Sequence, residues 1–306
     1  MNPRRIASVF SCFLIGALPA FAVLDTAKID AITGLKGVWN DLEKVHKVSQ
    51  PRNDLPVSVD GWTMPPFMGL TSWAAFKAGG KAEAIVAGDF VLFEDEVNPV
   101  MSSALDAGLS VTALHNHFLF DEPRVYFMHI GGEGSVEQLA TGVKAVLAKQ
   151  KEIRAARPQP AKVFGAGFAP AKNAITGATI DAQLGTKGQA SNGMFKVVIG
   201  RTTKMTCGCE MTKEMGVNTW AAFAGTDDNA VVDGDFAVLE DELQPVLKSM
   251  RAGGINIVAI HSHMTHENPR ILFLHYWGKG SVATLAQALK ATLEVQKTVP
   301  TASEAK

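Results

Sequence analysis

The 306 residues include 47% hydrophobic and 19% charged side chains, a balance that supports packed cores and argues against long disordered stretches. Formal net charge is −1, so no basic surface field recommends a nucleic-acid partner. The length suits two domains of ordinary size.

At the start of the chain, Arg4 and Arg5 precede an apolar run over 6–18 and then Ala20-Phe21-Ala22. That order is the basic, apolar and small-x-small pattern of an export signal, so residues 1–22 are expected to be cleaved and the product to be periplasmic or secreted. The apolar run is shorter than the ~20 residues a bilayer requires, and no later stretch is uniformly apolar over that length. The mature chain is therefore expected to carry no transmembrane segment. Cys12 lies within the apolar run, where lipid attachment is not favoured.

The first repeat domain is expected over 23–153. Stretches 71–76 and 84–93 have the apolar character of strands, and Glu94-Asp95-Glu96 then marks a helix start, where acidic side chains suit the positive end of the helix dipole. Gly108 stops that helix. A hairpin follows, with strands over 109–118 and 124–131, and Ser135 with Gln138 starts a last helix whose Leu139, Val143 and Leu147 share one face. Residues 154–173, rich in Ala, Pro, Gly and basic side chains, are expected to be a linker. The second repeat domain is expected over 174–306.

The copies are recognised by sliding the chain on itself. A constant shift of 146 relates residues 88–150 to 234–296 with 27 identities over 63 positions. Upstream pairs, such as the Trp-Ala-Ala-Phe runs at Trp73 and Trp220, extend the match with slightly different shifts. The chain is thus a tandem duplication, and each copy follows a β-β-α-β-β-α order, preceded by one or two shorter strands from the region of Lys47 and Val57. The expected fold class is α+β: a largely antiparallel sheet with helices on one face, the two domains paired about a pseudo-twofold axis.

Each copy carries three histidines at matched offsets: His115, His117 and His129, and His261, His263 and His275. Residues two apart on a strand share a face, so each His-x-His pair points one way. If the hairpins turn about Glu122 and Asn268, His129 lies across from His115 and His275 across from His261. Three converging imidazoles with an open position suit zinc or another divalent metal, and a metal-dependent hydrolase would use such a site. The alternative is a set of hydrogen-bonded histidines, or a metal-free grip on a ligand's oxygens. His266 and Glu267 in the second turn offer further ligands. Glu94, Glu96, Glu240 and Glu242, with Asp121 and Glu122, are candidate ligands or general bases, although acidic triplets of this kind are more often helix-capping residues than catalysts. Arg124 and Arg270 either bind an anionic ligand group or pair with those triplets.

One feature is not duplicated. Met205, Cys207, Cys209 and Met211 fall at alternate positions and, on a strand, would line up four sulfur atoms suited to copper(I) or zinc. The competing reading is a core methionine stripe with two thiols.

The runs GDFVLFEDEVNPV, VTALHNHF and PRVYFMHIGGEGS, with MGVNTWAAFAG, AIHSHM and PRILFLHYWGKGS in the second copy, resemble the LppY/LpqO family of exported bacterial proteins, a family of unknown function. The resemblance implies an exported two-copy protein and supplies no activity, cofactor or catalytic residue. The residues themselves support an exported metal-binding protein, a non-enzymatic module for a small-molecule or cell-envelope ligand or partner, or a copper-handling protein. N-terminal sequencing of the protein from its native compartment is expected to begin near Val23; an intact Met1 would overturn the export assignment.

Overall fold

The computed structural model describes residues 23–165 and 172–300. The expected export signal and part of the expected linker lie outside these residues. The first copy comprises α1 (Thr26–Thr33), β1 (Val38–Asn40), β2 (Val45–Pro51), β3 (Ser58–Val59), β4 (Trp62–Thr63), β5 (Thr71–Ala78), β6 (Ala84–Phe93), α2 (Glu94–Asp106), β7 (Ser110–His115), β8 (Asp121–Glu122), β9 (Val125–Gly134) and α3 (Val136–Ala156). The second comprises α4 (Gly177–Leu184), β10 (Gln189–Ser191), β11 (Met194–Gly200), β12 (Thr203–Lys204), β13 (Glu210–Met211), β14 (Asn218–Gly225), β15 (Ala230–Leu239), α5 (Leu243–Ala252), β16 (Asn256–His261), β17 (Ile271–Gly280) and α6 (Val282–Thr298). Each copy adds an N-terminal helix, and four strands, β1–β4 and β10–β13, stand where one or two short ones were expected; the first copy also adds β8.

Local sequence explains the boundaries. The α2 helix ends where Gly108 takes a φ of 82°, a left-handed turn that glycine adopts without a Cβ clash. Ser135 caps α3 by accepting a hydrogen bond from the Gln138 N–H at 3.1 Å. That helix continues through Ala156, so residues 154–156 of the expected linker are helical. The reason is electrostatic: Arg154 in the last turn of α3 pairs with Asp95 and Glu96 at the start of α2.

The main strands join in one twelve-stranded sheet, in the order β1-β2-β5-β6-β9-β7-β16-β17-β15-β14-β11-β10, with every ladder antiparallel. The protein is thus α+β, with six α-helices among the described residues. Strand alternation divides the side chains. On β6, Ala84, Val86, Phe90 and Leu92 enter the large core shared with buried residues of all six helices, whereas Val91 and Phe93 join a smaller cluster with Val57, Met64, Leu70, Val125 and Phe127. The smaller cluster packs beneath the short strands β3, β4 and β8 on the opposite face.

The two copies meet at β7 and β16, where Leu114 pairs with Ile260. Both strands shift register close by, between Val111 and Ala113 and between Ile257 and Ala259. Each shift releases backbone groups from the ladder, and a carboxamide from the other copy takes them up. Asn98 donates to the Ile257 carbonyl at 3.0 Å and accepts from its N–H at 2.7 Å. Gln244, the equivalent residue, does the same at Val111, at 2.9 Å for each bond.

Each copy also ties its sheet to a helix start with the same buried network. Arg52 holds Glu96 in a two-point ion pair and donates to the Val91 carbonyl, while Glu96 accepts from the Phe93 N–H at 2.9 Å. Arg201, Glu242, Ala237 and Leu239 repeat the arrangement. Burial opposes ionisation of Glu242, but Arg201, the Leu239 N–H and Gln296 together outweigh it and hold the carboxyl below its ordinary 4.5.

Asn98→Leu would strand the Ile257 N–H and carbonyl, and is expected to cost about 3 kcal/mol in denaturant unfolding. A carboxyl with a depressed folded-state pKa stabilises above its unfolded value and loses that contribution as pH falls through the folded one. Stability is therefore expected to decline as pH drops below about 4.5, and Glu242→Gln to flatten that decline in unfolding curves measured against pH.

Candidate metal centre

The histidines lie on the sheet face away from the helices. Their strand neighbours Leu114 and Met128, and Ile260 and Leu274, point into the large core, so His115, His129, His261 and His275 point the other way. The ladders place His129 opposite Asp89 and His275 opposite Asp235. His117 and His263 follow the ends of their strands and fold back flat onto Phe127 and Phe273, with ring centroids 3.3 and 3.5 Å apart.

The register differs from the one expected. His115 pairs with Phe127 and His129 with Ala113; His261 pairs with Phe273 and His275 with Ala259. The connection from β7 to β9 is not a tight turn about Glu122, because it contains β8, which pairs with β3. The second copy makes a similar contact between Asn268 and Lys204. The displacement keeps the two-residue period, so the third histidine stays on the same face. His115 and His129 stack at 5.1 Å between centroids, and His261 and His275 at 4.6 Å.

The copies are not equal. In the second, His263 Nε2 lies 3.1 Å from His261 Nε2 and 3.2 Å from Asp235 Oδ2. Asp235, His261 and His263 form the one group of three or more such side chains, among the described residues, whose donor atoms all fall within 4.8 Å of each other. In the first copy, Asp89 instead lies nearest His129, at 4.0 Å. Asp235 is 2% exposed, and its Oδ1 and the buried His261 Nδ1 have no hydrogen-bond partner among the described residues. The His263 Nδ1–H donates to the Gly216 carbonyl at 3.1 Å, which leaves Nε2 as the free lone pair. Burial pushes the pKa values of His115, His117 and His261 down, so the neutral, ligating form of these rings is favoured.

Asp89 and Asp235 are not among the carboxylates of the acidic triplets and turns that the sequence offers as ligands. Their signal was the Gly-Asp-Phe common to both copies, which places a carboxylate in the middle of a largely apolar strand. The other candidates stand apart from the cluster. Glu96 and Glu242 are committed to Arg52 and Arg201. Glu94 faces Arg124 at 3.8 Å and Glu240 faces Arg270 at 3.6 Å in exposed pairs, the second of the two roles open to those arginines. Asp121 and Glu267 accept from the Val125 and Ile271 N–H groups, and β8 carries Glu122 in its pairing with β3. His266 is exposed with a φ of 67° and is not part of the group.

Cys207 and Cys209 are free and exposed, and the expected sulfur stripe is not formed. Residues 205–209 make a turn between β12 and β13, closed by Met205 N–H to Cys209 carbonyl and Gly208 N–H to Met205 carbonyl, so strand alternation does not apply there. The turn brings the Cys209 N–H to 3.4 Å from the Cys207 sulfur. No helix among the described residues is long and apolar enough to cross a membrane.

Among solved structures, the chain is similar to a trimeric bacterial microcompartment shell protein, PduB, at 10% identity and a TM-score of 0.20, over 85% of this chain and 89% of that one. At that score the likeness carries no argument. Comparison with curated proteins gives no match. The family described as Domain of Unknown Function (DUF1259) matches residues 27–149 and 178–295, most of both copies. The chain belongs to this DUF1259 family.

Proposed function

We propose that this is an exported metal-binding protein whose working site is in the second copy, where Asp235, His261 and His263 hold a divalent cation, zinc being the best fit. One observation carries the reading: three donor atoms of the types zinc prefers lie within 4.8 Å of each other. The separations of 3.1 and 3.2 Å about His263 Nε2 suit ligands sharing one ion with bonds of about 2.0–2.2 Å. An ion would also offset the burial of the Asp235 carboxylate, whose Oδ1 has no hydrogen-bond partner among the described residues.

Two imidazoles and a carboxylate leave a coordination position for water or a ligand group. A cation there polarises what binds it and lowers the pKa of bound water, the chemistry of metal-dependent hydrolysis. His275, stacked on His261, fixes the plane of that ring. The ligand is a small molecule or a cell-envelope component, consistent with an exported protein. The palindromic strand order and the pairing of Leu114 with Ile260 support a local twofold relation between the copies, in which the first copy serves as scaffold.

Elemental analysis after dialysis is expected to find about one zinc per chain. Asp235→Asn or His263→Ala should reduce it at least ten-fold, whereas His115→Ala and His117→Ala should leave it unchanged. A metal-free protein that does not take up zinc from solution would overturn the reading.

A further inference from the structure

A groove opens beside His263, with a cavity of about 460 Å³, the size of a small-ligand site. Lys187, Lys196 and Lys213 line it, with Trp220 and Gly216; Glu214 is its one carboxylate among the described residues. We propose that this groove takes the anionic end of a small ligand, a carboxylate or phosphate group, while the ligand's other end faces the cation. The orientation rests on the metal reading above, whereas the anion site stands on the groove's own residues.

Three features support it. First, the lysines outnumber the carboxylate and face one cavity, so their fields add where an anion would enter. Lys187 meets Asp181 at 3.0 Å and Lys213 meets Glu214 at 3.2 Å, exposed pairs that exchange readily for a ligand anion. Lys196 pairs with no carboxylate among the described residues; its ammonium lies 4.2 Å from the centre of the Trp220 ring, which holds it over the groove.

Second, the groove and the metal cluster share a wall. The Gly216 carbonyl that accepts from His263 Nδ1 belongs to the loop after Lys213 and Glu214, so the element carrying one lysine also sets the aim of a metal ligand.

Third, the charge occurs in the copy that has the tight cluster. Lys36 and Lys47 stand in the first copy where Lys187 and Lys196 stand in the second, and Lys47 likewise covers Trp73 at 4.2 Å. Lys213 and Glu214, however, are replaced by Pro66 and Phe67, and Phe67 is 98% exposed. The third lysine and the close Asp235–His263 contact thus mark the same half of the chain.

The test is calorimetric titration of the full mature chain with inorganic phosphate and, separately, with succinate, before and after zinc removal. Saturable binding is expected for at least one anion, and the preferred one names the ligand's charged group. Lys196→Met, and Lys187→Ala with Lys213→Ala, should each weaken it about ten-fold, the loss of one or two charge-assisted contacts. Zinc content and unfolding temperature should not change, and Lys196→Arg should recover most of the affinity. If neither anion saturates, or if the lysine variants bind as wild type does, the groove proposal fails even with zinc in place. Lysine-dependent binding by a protein that takes up no zinc would uphold the groove and sink the metal reading instead.

Discussion

Asn98 and Gln244 reach across the middle of the sheet to backbone groups that register shifts in β7 and β16 have released from their ladders. A primary amide presents a donor and an acceptor side by side, as a peptide group on a neighbouring strand would, so each side chain replaces a missing rung. Buried peptide groups cannot be left unpaired without a cost of a few kcal/mol, and these are satisfied only while the two copies stay joined. The large core depends on that joint, since its residues come from the helices and strands of both halves. The two strands that meet there carry His115 and His261, and their neighbours β9 and β17 carry His129 and His275, which puts both imidazole clusters on the central part of the sheet.

On this common frame the copies have diverged at their surfaces while keeping their interiors. Arg52 with Glu96 and Arg201 with Glu242 are the same network drawn twice, as are the stacked pairs of His117 on Phe127 and His263 on Phe273. The residues around them differ in kind. The first copy exposes Phe67, Leu119 and Phe120, where the second presents Glu214, Thr265 and His266. A shift in one side chain then has chemical weight: the carboxylate opposite the third histidine approaches the second histidine in the second copy, and three donors draw close enough to share an ion.

Much of the architecture could be read from the chain itself because duplication supplies an internal comparison. Positions that agree at a constant shift marked the units, the helix starts at Glu94 and Ser135, and the histidine offsets. The structure keeps the helix starts at Glu94 and Ser135 and β6 over Ala84–Phe93 at its expected bounds, while the two copies share one sheet and one large core. What escaped depends on pairing between distant segments. The register of β7 against β9 is set by a connection that pairs with β3, some sixty residues upstream, and no local period encodes that contact. Asp89 and Asp235 are hard to single out for a related reason: nothing within the strand marks either carboxylate as a site residue, and only the neighbouring strand gives it a histidine to face. The sulfur stripe failed at a lower level, since Gly208 at a φ of 78° makes a turn where alternation had assumed extended chain.

The antiparallel meeting of β7 with β16 has an evolutionary consequence. A protein with one copy would leave this strand as an open edge, to be closed by a second molecule at a rate and extent set by concentration. Writing both copies into one chain makes that closure intramolecular, so it survives dilution. It also removes the requirement that both halves share one sequence: a change on one side need no longer be tolerated on the other. Covalent linkage is thus what permits the two imidazole clusters to differ, with Asp235 close to His263 in one and Asp89 closer to His129 in the other.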